Sequence, residues 1–521
     1  MAQIYLSQGD IENALAHYRA ASSLDPDSTV LMFDLANLYV RAGQLDASKY
    51  ECLKIIKKDP DHFHARLLLA GIYSALGDKE AAITEYKTIL KQDPDYEEVY
   101  IYLNALYSEL KEYDKAQENM KDYAERAPDS PLPYYYRGKL AFQQQDYKKA
   151  RKYYIEALKK EPSHESSLME LALLYEEQKN IKKAVEVYQK ILSFYPRHVG
   201  AQSHLGQLYI QEGKLDSALE QYKELDKLVS NNNQVGLRMG LIFLEQKKYD
   251  DALREFSLIL RRDPGDDKAR YYAALAYDGK GEVEKCIAAL EQITLDSEMY
   301  TEARIHMGYL YEEQGDIDRA IEIIEVALKE KPEDIVLYRF LASLLEKAKR
   351  YEEGIALLQQ ALQYDQDSED ILFLLGVLYE KAVRFEDSIK TMERVLEINP
   401  DNADALNYIG YTYAEQGINL DEAERLIKKA LELKPDDGYI IDSLGWVYFK
   451  KGNYKKAVKY LEKAVQFASG DAIIKEHLGD AYLKSNLSDK ALKMYEQALE
   501  IEPDKHELQK KIENLRGGGK E

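Results

Sequence analysis

The sequence predicts an all-α solenoid of about fifteen stacked helical hairpins, and three observations predict it. Eleven of the thirteen prolines lie on one ruler. Pro26, Pro60, Pro94, Pro128, Pro162 and Pro196 recur at one constant interval, about 34 residues. Pro264, Pro332 and Pro400 follow at twice that interval, Pro435 at a single interval plus one residue, and Pro503 again at twice. If each ruler proline is position 32 of a repeat, position 8 is small nearly throughout, as Ala36, Ala70, Gly138, Gly206, Gly445 and Gly479 show, with Asn104 the exception. Position 11 is tyrosine in twelve repeats and position 20 is alanine in eleven. A fixed period of this length marks a repeat architecture, in which one unit cannot bury its own apolar face and stacked neighbours can.

Each element follows from this register. Positions 4, 7, 8 and 11 share one stripe of a helix, the first of the hairpin. A small residue at 8 admits a second helix at close range. Glycine or a polar residue near 15 ends the first helix. Alanine at 20, with apolar residues at 24 and 27, supplies the answering stripe. Proline at 32 stops the second helix, because the residue before it avoids the α region. An Asp, Glu or Ser beside the proline caps the next helix. Cys52 and Cys286 fall at positions 24 and 20 and read as core.

The solenoid is expected to run over 1–503, with an incomplete first repeat. Ser230, Glu298, Gln366 and Ser469 occupy the marks that lack proline, and the pattern continues through them. The polar stretch KLVSNNNQVG reads as a flexible seam near 227–236. One extra residue in QGINLDEA accounts for the longer step before Pro435. Residues 504–516 read as a capping helix and 517–521 as a disordered tail. The opening MAQIYLSQGD enters a helical pattern without a cap. It fits either a missing upstream signal or anchor segment or a native start with a frayed first helix.

Acidic residues outnumber basic ones by 93 to 71, a net charge of −22. That balance disfavours nucleic acid and anionic membranes. Two cysteines cannot build a disulfide framework. No apolar run approaches the roughly 18 residues of a membrane span. Phosphate loops, nucleophile elbows, HExxH and paired CxxC motifs are lacking. His62 and His64 form an H-x-H that reads as a cap and turn, and His164, His198 and His204 lie near repeat boundaries. The expectation is no enzyme, no cofactor and no metal.

Leu69-Ala70-Gly71-Ile72-Tyr73 with Ala82 and Pro94, and Leu444-Gly445-Trp446-Val447-Tyr448 with Ala457, resemble the tetratricopeptide repeat family over nearly the whole chain. The resemblance implies a right-handed superhelix whose concave groove binds protein or peptide. Residues 402–465 also resemble a segment of bacterial envelope repeat proteins, among them lipoprotein partners of C-terminal processing proteases. That implies a periplasmic or envelope location if an upstream signal is missing, and a cytoplasmic one otherwise. Family members that grip a C-terminal carboxylate carry Lys, Asn and Arg at groove positions. Here Tyr411, Ser443 and Ala472 follow Asn407, so tail capture is disfavoured.

Positions 2, 5, 9 and 12 point roughly 130° away from the core stripe, at about 100° per residue, and in the family they line the groove. An early zone there is apolar and mixed, including Phe33, Asn37 and Lys139. The middle zone is acidic: Asp278, Glu302, Glu312, Glu346, Asp370, Glu380 and Asp404. The late zone is aromatic: Phe373, Tyr411, Tyr439, Trp446 and Phe449. Packing against the next repeat competes with binding as the use of these side chains. The leading expectation is a non-catalytic scaffold or adaptor whose partner presents an apolar anchor and basic residues. The alternatives are a cytosolic peptide-binding regulatory module, and the repeat portion of an enzyme whose catalytic part lies outside this chain.

Overall fold

The computed structural model describes residues 1–229 and 231–517. Among the described residues there is no strand, and 31 helices follow one another. Thirty of them alternate as first and second helices of fifteen repeats, numbered 1 to 15 along the chain. The last, His506–Gly517, follows repeat 15. Of the tail expected at 517–521, Gly517 ends this helix and 518–521 lie outside the described residues, as does Ser230 in the expected seam. The chain divides into two compact units, 1–248 and 249–521.

The ruler prolines sit where the register requires. The second helix of repeat 2, Leu45–Lys58, ends immediately before Asp59 and Pro60. The cap of the following helix is the second residue after the mark, which is proline in all the cases below except Ser469 before Asp471. Ser28, Asp266, Asn402, Asp437 and Asp471 accept there from backbone N–H groups of the new first turn, satisfying donors that a helix start leaves open. His62, His164 and His198 do the same through Nδ1. Their boundary positions are thus explained by capping, and the described residues contain no cluster of three or more potential metal ligands.

Position 8 meets position 24 of its own hairpin. A Cβ built on Gly138 would lie 2.4 Å from Tyr154 Cε1, and one on Gly479 2.4 Å from Tyr495 Cε1. At Gly206 the neighbour is Tyr222, at Gly376 Met392 and at Gly445 Leu461. The glycine is a socket, and the position-24 side chain is the ring or alkyl group that fills it. Cys52 at position 24 and Cys286 at position 20 are fully buried, and burial pushes both thiols up to about 12.

Position 15 adopts a left-handed backbone in every hairpin turn of unit 1 between Gly9 and Lys247. Glycine fills it at 43, 77, 213, 281, 315 and 452, but Lys111, Gln145, Lys179, Lys349 and Val383 adopt it too. The inserted residue of repeat 13 gives two such residues in one turn, Gly417 at φ 70° and Asn419 at φ 46°.

Four of the position-11 tyrosines bond the repeat before them through one shared position. Arg19 Nε donates to Tyr39 Oη, Gln189 Nε2 to Tyr209 Oη and Gln359 Nε2 to Tyr379 Oη, and Tyr482 Oη donates to Glu462. In each pair the partner occupies position 25 of the preceding repeat. The tyrosine ring fills the inter-repeat core while its hydroxyl finds a partner at the rim.

Candidate partner-binding face

The first helices carry positions 2, 5, 9 and 12 on the side turned away from their own second helices. Within unit 2, the helices of repeats 13, 14 and 15 pack first helix against first helix: Ala403–Gln416, Gly438–Lys450 and Ala472–Lys484. That packing decides which of the expected groove residues remain free.

Trp446 does not. Its register position is as expected, off the intra-hairpin stripe, but it is only 7% exposed. Nε1 donates to Glu415 of repeat 13 at 2.6 Å. The indole stacks on Phe449 with centroids 4.6 Å apart, and it also stacks on His477 of repeat 15 at 4.0 Å. His477 in turn pairs with the buried carboxylate of Asp442 at 3.0 Å. The physical reason for the correction is the neighbouring first helices: a large ring at position 9 reaches both, and burying it there removes a large apolar area from water. Phe449, Tyr411 and Phe373 are half-buried and pack on the same core. Desolvation pushes the Tyr411 hydroxyl upward, with the carboxylates of Glu415 and Asp442 adding to the shift. Tyr439, at position 2, is 61% exposed and is the one free ring of the late zone.

The acids divide the same way. Asp278 lies 3.0 Å from His306 Nε2, Asp370 2.8 Å from Arg339 and Asp404 2.7 Å from Lys434. Glu312 pairs with Lys347. Glu380 accepts from Tyr408 Oη at 2.7 Å, and burial together with that carboxylate raises the tyrosine's pKa. Glu302 and Glu346 have no hydrogen-bond or ion-pair partner among the described residues. Glu346 lies near enough to Tyr408 to raise its pKa further. The fold brings Asp370, Phe373 and Asp404 together, with Arg339, Glu369, Leu374 and Asn402, around a small cleft of about 190 Å³.

Sequence reasoning passed over exposed apolar residues on this face, three of them at positions 2 and 9. Tyr309 at position 9 and Val336 and Ile473 at position 2 are 52%, 53% and 47% exposed. The register contained the signal, because each falls on the same positions as Tyr439 or Trp446. Tyr309 rests on Phe340, centroids 4.5 Å apart, and leaves its outer face open.

Tetratricopeptide repeat models match residues 5–49, 52–100, 105–199, 199–232, 243–299, 305–371, 345–407, 391–425 and 443–503. The chain belongs to the tetratricopeptide repeat family. No curated protein sequence matches it. Among solved structures it is similar to the yeast Tom70, at 15% identity over 75% of this chain and 96% of that one, with a TM-score of 0.40. It is also similar to the Cut9–Hcn1 hetero-tetramer of the APC/C, at 14% identity over 95% and 97% of the two chains, with a TM-score of 0.39. A tetratricopeptide repeat protein from Parabacteroides merdae shares 15% identity over 55% of this chain and 98% of its own, with a TM-score of 0.40. The family is one of protein-interaction scaffolds, typically non-catalytic, and protein partners are the general expectation for this chain. No helix among the described residues is long and apolar enough to cross a membrane.

Proposed function

We propose that the chain is an adaptor whose unit 2 receives a segment of a partner protein along its first-helix face, and that the segment carries apolar side chains spaced with Lys or Arg. The observation that supports this most directly is on the helix Tyr300–Glu313, where Glu302 without a partner stands two helical turns before the exposed Tyr309. At that spacing they share a face. Glu346, also without a partner, adds a second free charge in the next repeat. Exposed aromatic rings give binding energy at small entropic cost, and free carboxylates beside them speed encounter with a cationic segment. Trp446 has no direct part in this reading: it holds the face in shape by locking repeats 13 to 15. The resemblance of 402–465 supports an encounter in the bacterial envelope, and fractionation of the full gene product separates that from a cytosolic one.

Photocrosslinking in the native cell from positions 309 and 439 should capture one partner repeatedly. Glu302→Lys with Glu346→Lys should slow its association about tenfold at low salt, with the difference shrinking as salt rises. Crosslinks that form only from second-helix positions, or an association rate that ignores both reversals, would overturn the proposal.

A further inference from the structure

The second helix of repeat 5, Tyr147–Lys160, stands apart in a chain of net charge −22. Its sequence YKKARKYYIEALKK holds Lys148, Lys149, Arg151, Lys152, Lys159 and Lys160 against a single acid, Glu156. Lys149 and Lys159 are neutralised locally by Asp146 and Glu156. Lys148, Arg151 and Lys152 have no ion pair and no hydrogen-bond partner among the described residues. With Ile155, which is 38% exposed, and with Lys149 and the paired acids Asp146 and Glu156, they line an open cleft of about 520 Å³.

Ile155 is one of two aliphatic residues at its register position, with Leu53 of repeat 2, which is 43% exposed. That is position 25, where repeats 1, 6, 11 and 14 put Arg19, Gln189, Gln359 and Glu462 to bond the next repeat's tyrosine. The molecule contains a close copy of this helix for comparison. Tyr454–Phe467 of repeat 14 reads YKKAVKYLEKAVQF. Lys455 and Lys459 match Lys148 and Lys152, but Val458 stands in place of Arg151 and Glu462 in place of Ile155. The basic framework is thus shared, and the guanidinium and the exposed aliphatic side chain at position 25 set repeat 5 apart from repeat 14.

Solubility does not require such a patch. An acidic protein stays soluble by its common charge, and a cluster of the opposite sign around an apolar residue works against that. We infer that this second-helix face of repeat 5 is a docking site for a short acidic segment of a partner protein, with carboxylates meeting Lys148, Arg151 and Lys152 and one apolar side chain covering Ile155. Charge complementarity names the sign of the occupant, and extent names its kind. The face is no longer than one four-turn helix, on the order of 20 Å, enough for a few residues of extended chain. A lipid surface or a duplex would bring its phosphates against the acidic remainder of the protein as well. This site is independent of the first-helix face, and the two partners are of opposite charge.

The test uses the whole chain and a fluorescein-labelled peptide, Glu-Asp-Leu-Glu-Asp-Glu, read by anisotropy at fixed ionic strength. Arg151→Glu with Lys152→Glu should weaken binding about tenfold or more, and Ile155→Glu, which restores the residue of repeat 14, should weaken it comparably. Lys455→Glu with Lys459→Glu should leave it within about twofold, and a peptide with Ser in place of Leu should bind more weakly to the native chain. All the substituted residues other than Arg151 are exposed, and helicity by circular dichroism checks each variant. Equal losses from reversal on either helix would mean unspecific charge attraction and overturn the inference. So would peptide binding indifferent to repeat 5, a preference for phosphatidylserine vesicles or duplex DNA over the peptide, or a self-association that the repeat 5 reversals abolish in place of peptide binding.

Discussion

Repeats 5 and 14 are built from nearly the same second helix and the same glycine at position 8, yet their first helices live in different surroundings. In Gly438–Lys450 every residue from Ile440 to Tyr448 is buried. In Leu132–Gln143 the residues at positions 2, 5, 9 and 12, Leu132, Tyr135, Lys139 and Phe142, are all only partly covered. Position 9 is Trp446 in one and Lys139 in the other. Register fixes the direction of a side chain, while the neighbouring repeats decide whether that direction is open.

The largest difference between the two repeats is expected at position 9. Trp446→Ala should destabilise unit 2 by about 3–5 kcal/mol, because it empties a site bounded by Phe449 and His477. Lys139→Ala should stay within about 0.5 kcal/mol. Amide hydrogen exchange resolves both, since opening is local to each unit. Comparable protection in the two variants would mean that the indole stack contributes nothing to unit 2.

At position 8 the two repeats should behave alike. Gly445→Leu and Gly138→Leu should each cost about 1–3 kcal/mol or more, because the new side chain enters space held by Leu461 or Tyr154. A denaturation midpoint unchanged in either variant would show that the two helices do not approach as closely as the fold requires.

Acid should separate them again. Glu424 is pushed up by burial, but hydrogen bonds from Lys428, Lys451 and Tyr448 outweigh this and hold it at about 2, against an ordinary 4.5. A depressed carboxylate contributes stability that is complete above about 4.5 and lost as pH falls toward 2. The matching residue before repeat 5 is Gln117, which bonds Arg137 and does not titrate. Melting of unit 2 should therefore fall over that interval, and Glu424→Gln should flatten the fall without changing the pH response of unit 1.

The smallest effects belong to position 15. Gly452 has φ 76° and no atom within 4 Å of a built Cβ, while Gln145 holds the same left-handed backbone at φ 60°. Gly452→Gln should cost about 1–2 kcal/mol from backbone strain alone. Gln145→Gly should stabilise by a smaller amount, because glycine also gains freedom in the unfolded chain. Thermal melting of the pair checks the opposite signs.

The fold was legible because its signals are local and repeated. Proline at 32, a small residue at 8 and alanine at 20 each act within one hairpin, and the structure places them accordingly. The left-handed turn residue was legible only where glycine fills it, since Lys111 or Val383 gives no such sign. The acidic face was legible in position but not in availability. Asp370, Glu312 and Asp404 are paired with Arg339, Lys347 and Lys434, each about one repeat away along the chain. Such partners become visible only when adjacent repeats are laid side by side. Trp446 was misjudged for the same reason: its burial depends on Glu415 and His477, one repeat to each side.

The glycine sockets bear on how such a chain can grow. Where the side chain that fills a socket sits in the same hairpin, as Tyr154 does for Gly138, both halves of the fit travel together when that stretch of gene is copied. Repeat 5 could be duplicated in tandem and each copy would bring its own filled socket. Repeat 14 could not, because its indole needs a carboxylate supplied by the repeat before and an imidazole supplied by the repeat after. Duplication breakpoints within repeats 13 to 15 would separate those three groups, so this stretch is expected to be inherited as a block while the repeats around it multiply or disappear.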